Sequence, residues 1–263
     1  MADAGFHREA GGWISPARLT LLLSGPVLIV FGSWIYLSVM IGDMSIIPGM
    51  SSMMMAPQIL DPMMLFGLFV MWSVMMAAMM LPTATPMILA YARMQAPDRD
   101  HGAGWLPVLM FCSGYILAWA GFSLAAATLQ AGLTNFAMMS PMMMKAVTGP
   151  LAAGILVAAG LYQFTPLKQS CLHQCRTPLS FLMTQWREGR VGALSMGWRH
   201  GLFCVGCCWA LMGLLFVVGV MNPGWIIAIT LYVLVEKTVP GSEQISKLLG
   251  AIMAGVGLVW FLI

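Results

Sequence analysis

Charge is scarce in this chain of 263 residues: lysine and arginine number 12, aspartate and glutamate 9, and together they make up 8% of the sequence. Soluble domains carry roughly 25% charged residues, so a water-facing globular fold is excluded. Nucleotide-binding and hydrolase signatures are missing as well, with no GxxxxGKS/T, no HExxH and no GxSxG. The first absence excludes an ATP-driven pump, and the others exclude the common metallo- and serine hydrolases. No basic run interleaved with aromatics occurs, which excludes a nucleic-acid partner. Polar stretches long enough to build their own core are also lacking; the longest, about 167 to 200, has 34 residues.

What is present is apolar sequence, 60% of all residues. Seven segments are apolar enough to span a bilayer: about 20–42, 63–92, 105–132, 146–166, 201–221, 225–236 and 248–263. A span needs about 20 apolar residues, so the last two are short. The sixth is squeezed between Met221-Asn222-Pro223-Gly224 and the pair Glu236-Lys237. The expectation is an all-α, polytopic transmembrane helical bundle of about seven spans with the lipid bilayer as its solvent. Residues 1–19 form a cytoplasmic tail, the first span is an uncleaved anchor, and 20–263 are a single membrane domain with a cytoplasmic Cys/His loop at 167–200. Basic residues test that count through the positive-inside rule. With the N-terminus cytoplasmic, Arg8, Arg18, Arg93, Arg99, Lys168, Arg176, Arg187, Arg190, Arg199, Lys237 and Lys247 fall inside, and only Lys145 falls outside.

Sulfur is distributed unevenly over this topology. The first outside loop, about 43–62, carries Met53, Met54 and Met55 along with Met44 and Met50; the second carries Met142, Met143 and Met144 beside Met138 and Met139. Inside lie Cys171, His173 and Cys175 in the string CLHQC, followed by Cys204, Cys207 and Cys208 at the inner end of the fifth span. Thioethers bind soft metal without losing a proton and do not form disulfides, whereas thiols persist in a reducing compartment. Both suit copper(I). Consecutive methionines in a polar loop have no core to fill, and an interfacial re-entrant segment is the rival reading there.

Between the two faces, Met71, Met75 and Met79 recur every fourth residue on the second span, with Met76 and Met80 beside them. At 3.6 residues per turn they form one stripe, which fits core packing as well as a ladder of ligands. Pro82 and Pro86 follow and predict a kinked or broken helix with freed carbonyls near Ala78 and Pro82.

The cysteine strings allow two geometries. In a loop, Cys171, His173 and Cys175 converge on one ion; on a helix the two thiols share a face and His173 points away. Cys204, Cys207 and Cys208 sit at i, i+3, i+4, on one helical face, with His200 a turn before and Met212 a turn after. Copper is the expected ion, with zinc the alternative at the cysteine sites. Thiol exchange is the competing chemistry, disfavoured because vicinal Cys207 and Cys208 would make a strained disulfide. Cys112 reads as a small buried hydrophobe. Glu236 and Lys237 read as a boundary carboxylate with a snorkelling lysine, and Asp43 and Asp61 as interfacial residues.

The strings MWSVMMAAMMLPTATP (71–86), CLHQCRTPLSFL (171–182) and HGLFCVGCCWALM (200–212) resemble a bacterial family of predicted metal-binding integral membrane proteins, the domain of unknown function DUF2182. The resemblance runs from the second span to the end and implies a multi-pass protein of the bacterial inner membrane with a metal site. It carries over Met71, Met75, Met76, Met79, Met80, Cys171, Cys175, Cys204, Cys207 and Cys208. The expected function is handling of copper(I), by transport or delivery from the outside methionines to the inner thiols. The alternatives are a non-transporting assembly or structural subunit, working with other membrane subunits or metal chaperones, and a metal- or thiol-dependent membrane enzyme.

Overall fold

Polar residues just ahead of proline set where several helices begin. In the computed structural model, which describes residues 16–42, 62–95, 105–136, 138, 149–239 and 241–262, every regular element is a helix. In chain order they are α1 (Pro16–Gly42), α2 (Pro62–Met94), α3 (Trp105–Asn135), α4 (Gly149–Tyr162), α5 (Pro166–Arg176), α6 (Pro178–Gln185), α7 (Gly189–Gly213), α8 (Leu215–Val218), α9 (Pro223–Thr238) and α10 (Glu243–Leu262). Thr165 caps α5 by accepting from the Lys168 backbone N–H at 3.3 Å, and Asn222 caps α9 by accepting from Gly224 and Trp225 at 3.1 and 3.4 Å. Each cap precedes a proline at the first helical position, where the missing N–H costs nothing.

The all-helical bundle agrees with the sequence; the layout of its spans is different. Among the described residues, five helices are long and apolar enough to cross a membrane: Ser24–Gly42, Pro62–Met94, Leu106–Asn135, Gly189–Val218 and Glu243–Leu262. α4 and α5 together make a sixth only as a pair bent by 64°. The bend falls at Thr165-Pro166, because the residue before proline is pushed out of helical geometry. The expected sixth span, α9, has 16 residues, too few to count among the five. The stretch 167–200, expected as a loop, is occupied by α5, α6 and the start of α7, which begins at Gly189 rather than near 201.

α2 is the central helix, packed against α1, α3 and α9. It runs unbroken through Pro82 and Pro86, contrary to a break. Pro82 cannot donate to the Ala78 carbonyl, and Trp34 of α1 does so instead, its Nε1 lying 3.2 Å away. Trp34 thus supplies the donor that proline removes, as a membrane interior requires. The Met80 carbonyl, which neither proline frees, also accepts from Thr83 Oγ1 at 2.9 Å and Tyr115 Oη at 3.0 Å.

α3 and α7 approach closely at small residues. A Cβ placed on Gly197 would collide with the Phe111 backbone, whose carbonyl carbon would lie at 2.7 Å, and one on Gly114 would meet the Trp198 nitrogen at the same distance. With lipid as solvent, such close packing replaces the hydrophobic drive between helices. Gly197→Ala should therefore lower stability by about 1–3 kcal/mol, the usual cost of overpacking. Thermal unfolding in detergent checks this against Gly154→Ala, whose added methyl would meet nothing within 4 Å and should leave the midpoint unchanged.

Candidate metal centre

The helical period of α7 puts His200, Cys204, Cys207, Cys208, Leu211 and Met212 on its buried face, each at 2% exposure or less. α5 lies against that face and carries Cys171 and Cys175 inward, at the i, i+4 spacing. Cys175 Sγ stands 4.0 Å from Cys207 Sγ. Cys171 faces the backbone at Gly206, where a Cβ would come within 2.7 Å of its sulfur. His173 is exposed on the opposite side of α5, so the helical alternative holds and the imidazole does not join the thiols.

From α2, Met80 completes the cluster, its Sδ lying 3.9 Å from Cys208 Sγ. Met71, Met75, Met76 and Met79 are also fully buried. The methionine stripe belongs to the core and ends at the thiols. Met53, Met54, Met55, Met142, Met143 and Met144 lie outside the described residues, as do Asp43 and Asp61.

Cys207 and Cys208 each donate to the Cys204 carbonyl, at 3.1 and 2.9 Å. Cys204 itself is 3.1 Å from Tyr115 Oη and 2.9 Å from Lys237 Nζ. Lys237 also donates to Thr83 Oγ1 at 3.0 Å and is 7% exposed. It meets no carboxylate among the described residues.

Its neighbour Glu236 faces elsewhere. The carboxylate pairs with Lys168 of α5 at 2.5 Å, with both side chains buried, and accepts from Ser246 of α10 and from Tyr232 at 3.3 Å. Arg176 donates through Nε and Nη2 to the Glu236 carbonyl at 2.8 and 2.7 Å and also to Ser242. These contacts tie α5 to α9 and α10 and so fix Cys175 opposite Cys207. The sequence reading of Glu236 and Lys237 as a boundary pair is corrected: both are buried, and they have different partners.

Sequence reasoning missed Tyr115, Thr83, Lys168 and Lys237. Only the lysines carried a usable signal, since an ionisable residue within membrane sequence marks a function by default. It also passed over the two-residue spacing of Cys204-Val205-Gly206-Cys207, which is that of a dithiol. All six cysteines are free in the structure, and the 4.0 Å sulfur pair is far longer than a disulfide bond of about 2.05 Å.

Two sulfurs sharing an ion at about 2.3 Å from each lie between about 3.7 and 4.6 Å apart. The Cys175–Cys207 and Cys208–Met80 pairs, at 4.0 and 3.9 Å, fall within that range. The set is soft, containing thiols and a thioether with no carboxylate, and it suits a monovalent d10 ion. Zinc fits poorly. It takes a closed set of four ligands, and no three His, Cys, Asp or Glu side chains among the described residues are placed to hold a metal.

Comparison with known families matches the chain to the PpoB2 family model, described as a copper chaperone, over residues 69–260. It is a copper-associated family related to the domain of unknown function that the motifs resemble. Curated proteins and solved structures give no match.

Removing one partner of the buried Lys168–Glu236 pair leaves a charge without compensation, which typically costs about 3–5 kcal/mol. Glu236→Ala should therefore destabilise the protein by that order in unfolding experiments. It should also expose Cys175 to a thiol-alkylating reagent in the fraction that remains folded, while the wild-type thiol reacts slowly.

Proposed function

The chain belongs to the PpoB2 family of copper chaperones, and on that premise we propose that it holds copper(I) two-coordinate on facing sulfurs of separate helices, Cys175 with Cys207 and Cys208 with Met80, and hands it on within the membrane. The observation that carries this reading is the meeting of α2, α5 and α7 at sulfur, with two inter-helix sulfur pairs at 3.9 and 4.0 Å. Copper is the cargo here, held by ligands that release it again.

Binding deprotonates the thiols it uses. Two thiolates and one copper(I) leave one net negative charge, and the Lys237 ammonium beside Cys204 lies next to the sulfurs that carry it. Cys204, held by Lys237 and Tyr115, then positions the neighbouring thiols through its carbonyl.

The test is retention of copper(I) by purified protein under anaerobic conditions against a chromophoric chelator. Wild-type protein should retain it stoichiometrically, Cys207→Ser with Cys208→Ser should lose it, and Met80→Leu should weaken it by about tenfold, the low end of the effect of altering a metal's surroundings. Retention unchanged in the double variant would overturn the proposal.

A second reading, movement along the second span from outside methionines to inner thiols, is favoured by one feature: the stripe ends at Cys208 through Met80. Met75→Leu with Met79→Leu should then reduce copper entry into proteoliposomes while chelator-resistant copper stays the same. Unchanged flux would leave the chaperone reading and remove the conduit.

A further inference from the structure

A cavity of about 180 Å³ lies beside the thiol cluster, lined by Thr83, Met87, Cys175, His200 and Lys237, with Arg176 and Thr238 toward its rim. Cys175 belongs both to this cavity and to the cluster, since its sulfur is the one opposite Cys207. It is the link between the two.

His200 is an unusual lining residue. It is 2% exposed and held among the rings of Phe111, Tyr115 and Phe181 at centroid distances of 6.2, 5.7 and 5.5 Å. Its Nδ1 is buried and has no hydrogen-bond partner among the described residues. A buried polar atom left in that state costs about 1–3 kcal/mol. Packing alone would be served better by phenylalanine, which fills similar space without that penalty. An imidazole supported by three rings and left unsatisfied is prepared to take a ligand.

Met87 lies one turn past Thr83 on α2 and also lines the cavity, with 1% exposure. Thioether, thiol and imidazole therefore border one space, on three different helices: Met87 on α2, Cys175 on α5 and His200 on α7. All three donor types bind copper(I). The inner cluster of Cys207, Cys208 and Met80 has no comparable opening, and its members are at most 1% exposed.

Resting on the copper reading above, we propose that this cavity is a separate loading site, where His200, Met87 and Cys175 receive copper(I) before it passes to Cys207 and Cys208. Exchange of one sulfur ligand at a time moves the ion: Cys175 serves both sites, so copper need not be released to water between them. The thiol protons displaced at Cys175 on loading and at Cys207 and Cys208 on transfer leave through the same cavity. No electron is transferred, and copper stays monovalent throughout.

The experiment uses the full chain in detergent, labelled with 15N-histidine and titrated anaerobically with copper(I). His200 is assigned through its contacts with the Tyr115 and Phe181 rings. Its side-chain nitrogen resonance should stay in place while the inner sulfurs fill and then shift as copper exceeds their capacity. In Cys207→Ser with Cys208→Ser it should shift from the first addition. His200→Phe, which preserves the packing, should slow loading of the inner sulfurs from a copper–chelator complex by about tenfold and abolish the uptake that exceeds their capacity. Should that variant not fold, Met87→Leu serves for the rate, and the wild-type titration decides the ligand. Copper retained on sulfur with no movement of the His200 resonance overturns the loading site alone. A protein that retains no copper overturns both this inference and the function on which it rests.

Discussion

A lysine ammonium buried against sulfur is the interaction around which this bundle is arranged. Moving an ammonium from water to a medium of low dielectric costs about 20 kcal/mol in the idealised limit, and several kcal/mol after relaxation. Lys237 recovers that cost through Cys204 and Thr83, at 2.9 and 3.0 Å, on helices α7 and α2. Three helices are thereby held at one point. Successive side chains on a helix diverge by about 100°, so Glu236 turns away from Lys237 and reaches Lys168 and Ser246 on α5 and α10. Two adjacent residues on a helix of 16 residues connect most of the bundle.

The same electrostatics account for how a chaperone site differs from a structural metal site. A closed set of four ligands holds its ion outright, whereas here two sulfur pairs from different helices offer soft contacts with no such enclosure. In the absence of the ion, the thiols of Cys207 and Cys208 are satisfied by the Cys204 carbonyl. On the proposed reading, loading exchanges these two hydrogen bonds for bonds to copper. The Ala78 carbonyl, which Pro82 frees on α2, is treated in the same way, with Trp34 supplying the missing donor.

Much of this was legible in the sequence wherever a single helix decides the outcome. The i, i+3, i+4 spacing put Cys204, Cys207 and Cys208 on one face; for Cys171, His173 and Cys175 it left a converging loop and a helix with His173 opposed as alternatives, and the helix is what forms. Apolar composition gave the all-helical bundle. What depends on how one helix is rotated against another was not legible. Nothing local distinguishes Lys237 at a lipid boundary from Lys237 facing a thiol on α7, or marks Tyr115 and Thr83 as its neighbours. Span count suffered for a related reason: the apolar run of 146–166 ends in a 64° bend into a helix that reads as a polar loop, and α9 is held by partners inside the bundle rather than by its own length.

The central claim is that copper(I) rests on sulfur contributed by separate helices, and X-ray absorption at the copper edge tests it most directly. Protein loaded with one equivalent should show a first shell of sulfur alone at about 2.3 Å, the usual metal–thiolate distance, that is replaced by a shell containing nitrogen in Cys207→Ser with Cys208→Ser. A first shell of oxygen or nitrogen alone in the wild-type protein, or an unchanged spectrum in the double variant, would contradict the account.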